Sequence, residues 1–412
     1  MIYIFNEYTS SKKNGVGTFI REFIKCINDV GMDYCILGFN YPVREVVINR
    51  NNKVMQEILF PPFITSDFME YYSIFVKVLR LHIKDCSDNV FLINYTPCKA
   101  LVQELKKVYP QSKIVLLIHD LSWTSKLLGD VDAFKLIVKN KELNPTDDNS
   151  CIIRRFDNDI ETLQMVGYVV CLSMDTYNLM RTIYNVDESR LFLISNGLHT
   201  CYNIDKRTKR QLRKKYHIQN SEYLILFVGR PTRQKGIYSL LQAMDSVLKK
   251  HPYARLVIAG QEIYDENRTL LQMFPEMATH VTFLGLLDAV RLYEWYEMAD
   301  IGVIPSFYEQ CTYTGIEMMM HGLPIVTSDG FGLRSMFVEN QTALFAHIQD
   351  RNDLFLFSCN LANSINKLLS SKGLRKKLSK NVRLHYKKYY SGEMMKKMYY
   401  DFFSSILDNV VS

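Results

Sequence analysis

The chain has no apolar run approaching the roughly 18–20 residues that cross a bilayer, so no membrane-spanning helix is expected. None of its nine cysteines forms a CxxC pair, which argues against a zinc site and against a disulfide framework. Several sit in apolar stretches, such as Cys171 within Val169-Val170-Cys171-Leu172, and read as small buried hydrophobes. No basic leader precedes an apolar segment. Met1–Glu7 reads instead as a strand, so no signal peptide is expected and the protein is placed in the cytoplasm. Low-complexity segments and short repeats are lacking. So is any carboxylate cluster that would demand a divalent ion, and no metal or other cofactor is expected.

What is present is an ordinary globular composition of 48% hydrophobic and 23% charged residues. At 412 residues the chain is too long for one core, and two domains of about 200 residues are expected. The net charge is +7. The densest basic run, 206–215, has no interleaved aromatics, so it reads as a solvated helix face near a domain junction and no nucleic-acid partner is expected. The basic excess allows loose peripheral contact with the inner face of an anionic membrane.

Short apolar runs recur at intervals long enough to hold a helix. In the first half they lie at 2–6, 33–39, 89–96, 113–119, 167–173 and 190–195; in the second at 223–229, 254–260, 280–285, 299–305, 323–328 and 342–346. Continuous rather than alternating apolar strands mean burial on both faces, the mark of a parallel sheet covered by helices. The fold class is therefore α/β, with two Rossmann-like doubly wound domains facing across a cleft. The expected boundaries are 1–205 and 206–385, with a hinge near 198–210. The stretch 121–155 shows no clear period and is expected to be a flexible loop.

Four constellations carry chemistry. Asn14-Gly15-Val16-Gly17-Thr18 lies between the first strand and a helix, where glycines let backbone approach an anion; a plain turn explains it equally well. In Val228-Gly229-Arg230-Pro231-Thr232-Arg233-Gln234-Lys235-Gly236, Arg230 ends a buried strand and Lys235 begins the next helix. Two fixed cations and a helix amino end can hold a diphosphate without a metal. The third follows the strand Ile301–Ile304. It places Glu309 at the strand's end and Glu317 in the next helix, with Thr312, Tyr313, Thr314 and Gly315 offering amides to phosphate. Glu317 is a lone carboxylate in an apolar helix and needs hydrogen-bond donors, which a ribose diol would supply. The fourth is His119, emerging with Asp120 from an apolar strand; structural and catalytic roles are both open.

Taken with Ile194-Ser195-Asn196-Gly197 and His321-Gly322-Leu323-Pro324-Ile325-Val326-Thr327-Ser328, these motifs resemble the retaining glycosyltransferases of family 4, which have the GT-B fold. The resemblance covers essentially the whole chain. It implies a hexosyltransferase-type enzyme that moves a sugar from a UDP- or GDP-sugar to a glycan, lipid-linked, peptide or small-molecule acceptor, with retention. It further implies that Arg230 and Lys235 hold the diphosphate, Glu317 the ribose and Glu309 the transferred sugar. His119 would lie near the anomeric centre, Gly15 and Gly17 in a phosphate-facing loop, and 386–410 in a helix returning to the first domain. The leaving phosphate is the preferred base for the acceptor. Two departures fall where the sugar would be held: Gln310-Cys311-Thr312 stands for a usual Gly-Phe-Gly, and Ser335 for a usual glutamate. They motivate a second reading, an inactive relative that serves as a binding partner.

Overall fold

The computed structural model describes residues 1–8, 15–51, 54–62, 68–94, 99–140, 147–200, 208–261 and 272–407. Asn14, residues 201–207 of the expected hinge and residues 141–146 of the expected loop lie outside them. The chain divides into two units: Met1–Leu127, Val131–Gly197 and Gly392–Ser412 form the first, Leu128–Asp130 and Leu198–Ser391 the second.

The first unit is built on an eight-stranded sheet of order β3-β4-β2-β1-β5-β6-β7-β8. Its strands are β1 (Ile2–Glu7), β2 (Tyr34–Phe39), β3 (Val47–Asn51), β4 (Val54–Leu59), β5 (Val90–Ile93), β6 (Lys113–Ile118), β7 (Tyr168–Cys171) and β8 (Leu191–Leu193). All neighbours pair in parallel except β3 and β4. The second unit carries a six-stranded, wholly parallel sheet of order β11-β10-β9-β12-β13-β14. These are β9 (Tyr223–Val228), β10 (Ala254–Ala259), β11 (Val281–Gly285), β12 (Ile301–Ile304), β13 (Ile325–Ser328) and β14 (Ala343–Ala346). In sequence order that is 3-2-1-4-5-6, the doubly wound Rossmann arrangement, with strand order reversing between β9 and β12.

Each of the twelve expected apolar runs holds a strand. β3 and β4 were not expected. They form an antiparallel hairpin at the sheet edge whose residues are mostly half-buried or exposed, so they lack a continuous apolar signature. The second correction concerns 121–155. Rather than a loop throughout, it holds the helix Val131–Lys139 and most of the first half of the helix Asp147–Met165. Phe134 and Trp123 stack at 4.4 Å, and Phe134 meets Phe156 edge-on at 5.7 Å. Three aromatics scattered among polar residues make this contact, a spacing too irregular to show a helical period.

The core of the second unit shows why β9 and the helix Ile237–Lys250 form as read. Leu240, Leu241, Met244 and Val247 recur at helical spacing and are buried against Ile225 and Phe227 of β9. Burying a side chain of this kind contributes about 1.5–3 kcal/mol. The basic run is less solvated than expected. Arg213, in the helix Lys209–Lys215, is buried; it donates to Asp300 Oδ2 at 2.6 Å and to the carbonyls of Gln219, Glu222 and Met298. A guanidinium with several acceptors can be buried because its donors are satisfied. Among the described residues, no helix is long and apolar enough to cross a membrane.

Candidate active site

The second unit's site grows out of the two strands that flank the switch point. β9 ends at Val228, and the chain turns through Gly229 into a 3-10 turn, Arg233–Lys235. Gly236 then takes a left-handed conformation, φ 71°, before the helix Ile237–Lys250 starts. A Cβ at Gly236 would lie 2.0 Å from the carbonyl oxygen of Pro305, so only glycine lets this turn close against the loop after β12. The two segments are also tied by Phe307 N–H donating to Gln234 O at 2.9 Å. Lys235 therefore sits in the turn before the helix, not at the helix start as the sequence suggested.

This tie brings Lys235 and Glu309 together: Nζ donates to Oε1 at 2.6 Å. The same Oε1 accepts from Ser306 Oγ at 2.8 Å. Both charges are well covered, with side chains 25% and 13% exposed. Glu309 is held on its other side as well. Its N–H donates to Phe331 O at 2.9 Å, and a Cβ on Gly332 (φ 81°) would meet its carbonyl oxygen at 1.8 Å. Lys235, Glu309, Ser306, Thr312 and Thr314 line one small recess together with the ends of β9 and β12.

The helix Tyr313–His321 begins at this recess. Its N-cap, Thr312, makes no capping hydrogen bond through its side chain, and the first turn holds no acid. The helix amino end, with its partial positive charge, thus opens on the recess that Lys235 lines, an arrangement suited to a phosphate. Gly315 is buried in the first turn, packed on Thr312 and Met336, and Tyr313 is buried. Glu317 lies one turn on from Thr314, on the same helix face. It is half-buried, and its Oε2 accepts from Tyr296 Oη at 2.7 Å. Burial first, and then the Glu317 charge, push the Tyr296 hydroxyl well above its ordinary range, so it stays a donor. Arg230 is exposed at the end of β9.

In the first unit, Gly15 opens the helix Gly15–Asp29 and is exposed, whereas Gly17 is buried. Two residues on, the Phe19 ring meets the His119 ring edge-on at 4.9 Å. The start of this helix and the end of β6 are thereby brought together. Burial pushes the His119 imidazole down to about 4, and its Nε2 is buried without a hydrogen-bond partner among the described residues. It is a neutral ring at pH 7.

Three groups were not foreseen. Ser306 orients Glu309, and Tyr296 orients Glu317; a hydroxyl within hydrogen-bond reach of each glutamate was the signal to seek. The third is the tripeptide Leu128–Asp130, which packs within the second unit. Arg351 donates to Leu128 O at 3.0 Å and Gly129 O at 3.4 Å, and lies 3.6 Å from the Asp130 carboxylate. Gly129 (φ 70°) sits so close to the Glu309 loop that a Cβ would lie 2.7 Å from the Cβ of Tyr308. Nothing local in the sequence signals so distant a contact. Of the two departures from the family pattern, Gln310 and Cys311 are buried, while Ser335 is exposed and donates to Gly332 O at 2.9 Å.

Residues 208–385 match the family described as glycosyl transferases group 1. An uncharacterized glycosyltransferase of Methanocaldococcus jannaschii is 30% identical over 227 residues, 54% of this chain and 56% of that protein. The alpha-maltose-1-phosphate synthase of Mycolicibacterium smegmatis is 25% identical over 201 residues, 47% of this chain and 51% of that protein. The chain thus spans about half the length of these curated relatives. Among solved structures, a sucrose-phosphate synthase from Thermosynechococcus elongatus superposes with TM-score 0.73 at 20% identity, covering 98% of this chain and 99% of its own. The Anabaena protein HepE, solved in complex with UDP and glucose, superposes with TM-score 0.69 at 13% identity, covering 98% and 99%. The chain therefore carries a glycosyltransferase group 1 domain within a two-unit α/β fold that matches GT-B glycosyltransferase structures.

Proposed function

We propose that this protein is a retaining hexosyltransferase that moves a sugar from a UDP- or GDP-sugar to a glycan, lipid-linked, peptide or small-molecule acceptor. The observation that carries the reading is the Lys235–Glu309 pair at 2.6 Å, set beside an uncapped helix amino end where strand order reverses. The relative solved with UDP and glucose supports a nucleotide-sugar donor.

An ammonium has three donors, and Lys235 spends one on Glu309. The others are left for oxygens of the donor diphosphate. Cleaving the bond between the anomeric carbon and phosphate leaves extra negative charge on the nucleotide. Lys235, Arg230 and the amides at Thr312–Gly315 would stabilise that charge more in the transition state than in the ground state, which is what raises the rate. Glu309, oriented by Ser306, would contact the transferred sugar. Glu317 would accept from the ribose hydroxyls while Tyr296 holds its second oxygen. In the first unit, Gly15 and Gly17 would face phosphate and neutral His119 the anomeric centre. We propose further that Lys235 and Arg230 take the phosphate charge and that no metal cofactor is needed.

Transfer or donor hydrolysis measured over a panel of UDP- and GDP-sugars tests this. Wild type should turn over at least one donor, and Lys235→Ala should lose on the order of 100-fold in rate. A correctly folded wild type inert towards every donor, with no nucleotide raising its melting temperature, would refute the assignment.

A further inference from the structure

The charge of this chain is unevenly placed. Between Asp353 and Glu393 there is no acidic residue, and residues 354–392 carry nine lysines and arginines. That stretch alone exceeds the +7 of the whole chain, so the rest of the protein is slightly acidic. Part of that excess gathers on one surface.

The surface is the outer face of the helix Lys372–His385 and the π turn Tyr386–Tyr390 that continues it. Leu378, Val382, Tyr386 and Tyr390 recur every fourth residue and are buried against the second unit. The opposite stripe, Lys376, Lys377, Lys380, Lys387 and Lys388, is exposed. Two apolar side chains stand among these lysines: Leu384 is 56% exposed and Tyr389 44%. Two cations on the same segments are already engaged. Arg383 donates to His321 O at 2.8 Å, and Arg375 donates to the Leu368 carbonyl at 2.8 Å. Acids on neighbouring elements do not neutralise the stripe. Glu297 is bonded to His321 at 2.7 Å, and Glu339 lies 3.3 Å from His347.

From this geometry we propose that the 376–389 face docks on an anionic lipid bilayer. A convex helix with a row of lysines and two protruding apolar tips suits a planar headgroup layer: the ammonium groups meet lipid phosphates while Leu384 and Tyr389 enter the interface. Nucleic acid is a poorer match. The face offers one exposed aromatic for base stacking, and Lys388 Nζ sits 4.8 Å from the centre of that ring. The inference is independent of the donor chemistry.

The test is sedimentation of the full chain with vesicles of phosphatidylcholine alone or doped with phosphatidylglycerol. Wild type should partition to the anionic vesicles only, and added salt should release it. The variant Lys376→Gln/Lys377→Gln/Lys380→Gln/Lys387→Gln should bind about tenfold or more weakly, with an unchanged melting temperature. A control that removes four lysines elsewhere, Lys106→Gln/Lys107→Gln/Lys249→Gln/Lys250→Gln, should bind as wild type does. Leu384→Ser/Tyr389→Ser should weaken binding while leaving the charge intact. Equal binding to neutral vesicles, equal loss in both lysine variants, or competition by duplex DNA or inorganic phosphate at low concentration would overturn the proposal, as would failure of wild type to bind at low salt.

Discussion

Replacing Gly236 with alanine isolates the contact on which the site is built. Gly236 and Gly31 share the same left-handed backbone, φ 71°, but differ in surroundings. A Cβ at Gly31 would meet nothing within 4 Å. Gly31→Ala should therefore cost only the left-handed strain, about 1 kcal/mol. At Gly236 the new Cβ would lie 2.0 Å from Pro305 O, and the obstacle is backbone, so it cannot rotate away. Relief requires the loop after β12 to move by about an ångström, which adds overpacking of about 1–3 kcal/mol. It also strains the Phe307–Gln234 hydrogen bond, worth about 1 kcal/mol. The sum is about 3–5 kcal/mol, against about 1 for the matched control. For a domain of this size, 1 kcal/mol moves the melting temperature by about 2–4 °C. Scanning calorimetry should then show Gly236→Ala lowering a transition about three to five times as far as Gly31→Ala does. Equal shifts in the two variants would refute the claim that this contact fixes the site.

Three further outcomes follow from the same geometry. Tyr296→Phe removes the hydroxyl that donates to Glu317; it should destabilise by about 1–2 kcal/mol in denaturant titrations and weaken donor binding, leaving Lys235-dependent catalysis in place. His119 is held neutral, its folded value of about 4 lying below the ordinary 6.5. Its contribution is complete above pH 6.5 and is lost as pH falls towards 4, by at most about 3 kcal/mol. Asp159 opposes it, because burial raises its carboxyl to about 6 and its contribution is lost as pH rises through that value. Melts of wild type and His119→Gln across pH 4–7 should therefore diverge, with the variant less sensitive to acid; parallel curves would exclude the assignment. On the proposal that Lys235 and Arg230 take the phosphate charge, transfer activity should survive a chelator unchanged; loss restored by a divalent ion would contradict that.

The second sheet was the most legible part of the chain. Five of its six strands are largely buried, β11 at the edge being half-buried, and burial of that kind writes uninterrupted apolar runs such as Leu224-Ile225-Leu226-Phe227. The β3–β4 hairpin left no such trace, because its residues are mostly half-buried or exposed. The candidate site was legible to the level of residue type. Glu317 stood out as a lone carboxylate in an apolar helix, and Glu309 by its place at a strand's end. The partners that satisfy them did not: Ser306 and Tyr296 are unremarkable residues until the fold turns their hydroxyls inward. Arg351 and Gly129, more than two hundred positions apart, meet only because a short tripeptide joins the second unit. Arg213 shows the converse. It looked like one solvated cation in a basic run and is instead a buried link to Asp300.

The central claim is that the ammonium held by Glu309 at 2.6 Å belongs to a nucleotide diphosphate site. Calorimetric titration of UDP and of GDP into wild type and Lys235→Ala addresses it without needing the sugar or the acceptor. One nucleotide should bind wild type saturably and bind Lys235→Ala about tenfold or more weakly. No binding of either nucleotide to folded wild type, or an affinity indifferent to Lys235, would contradict the account.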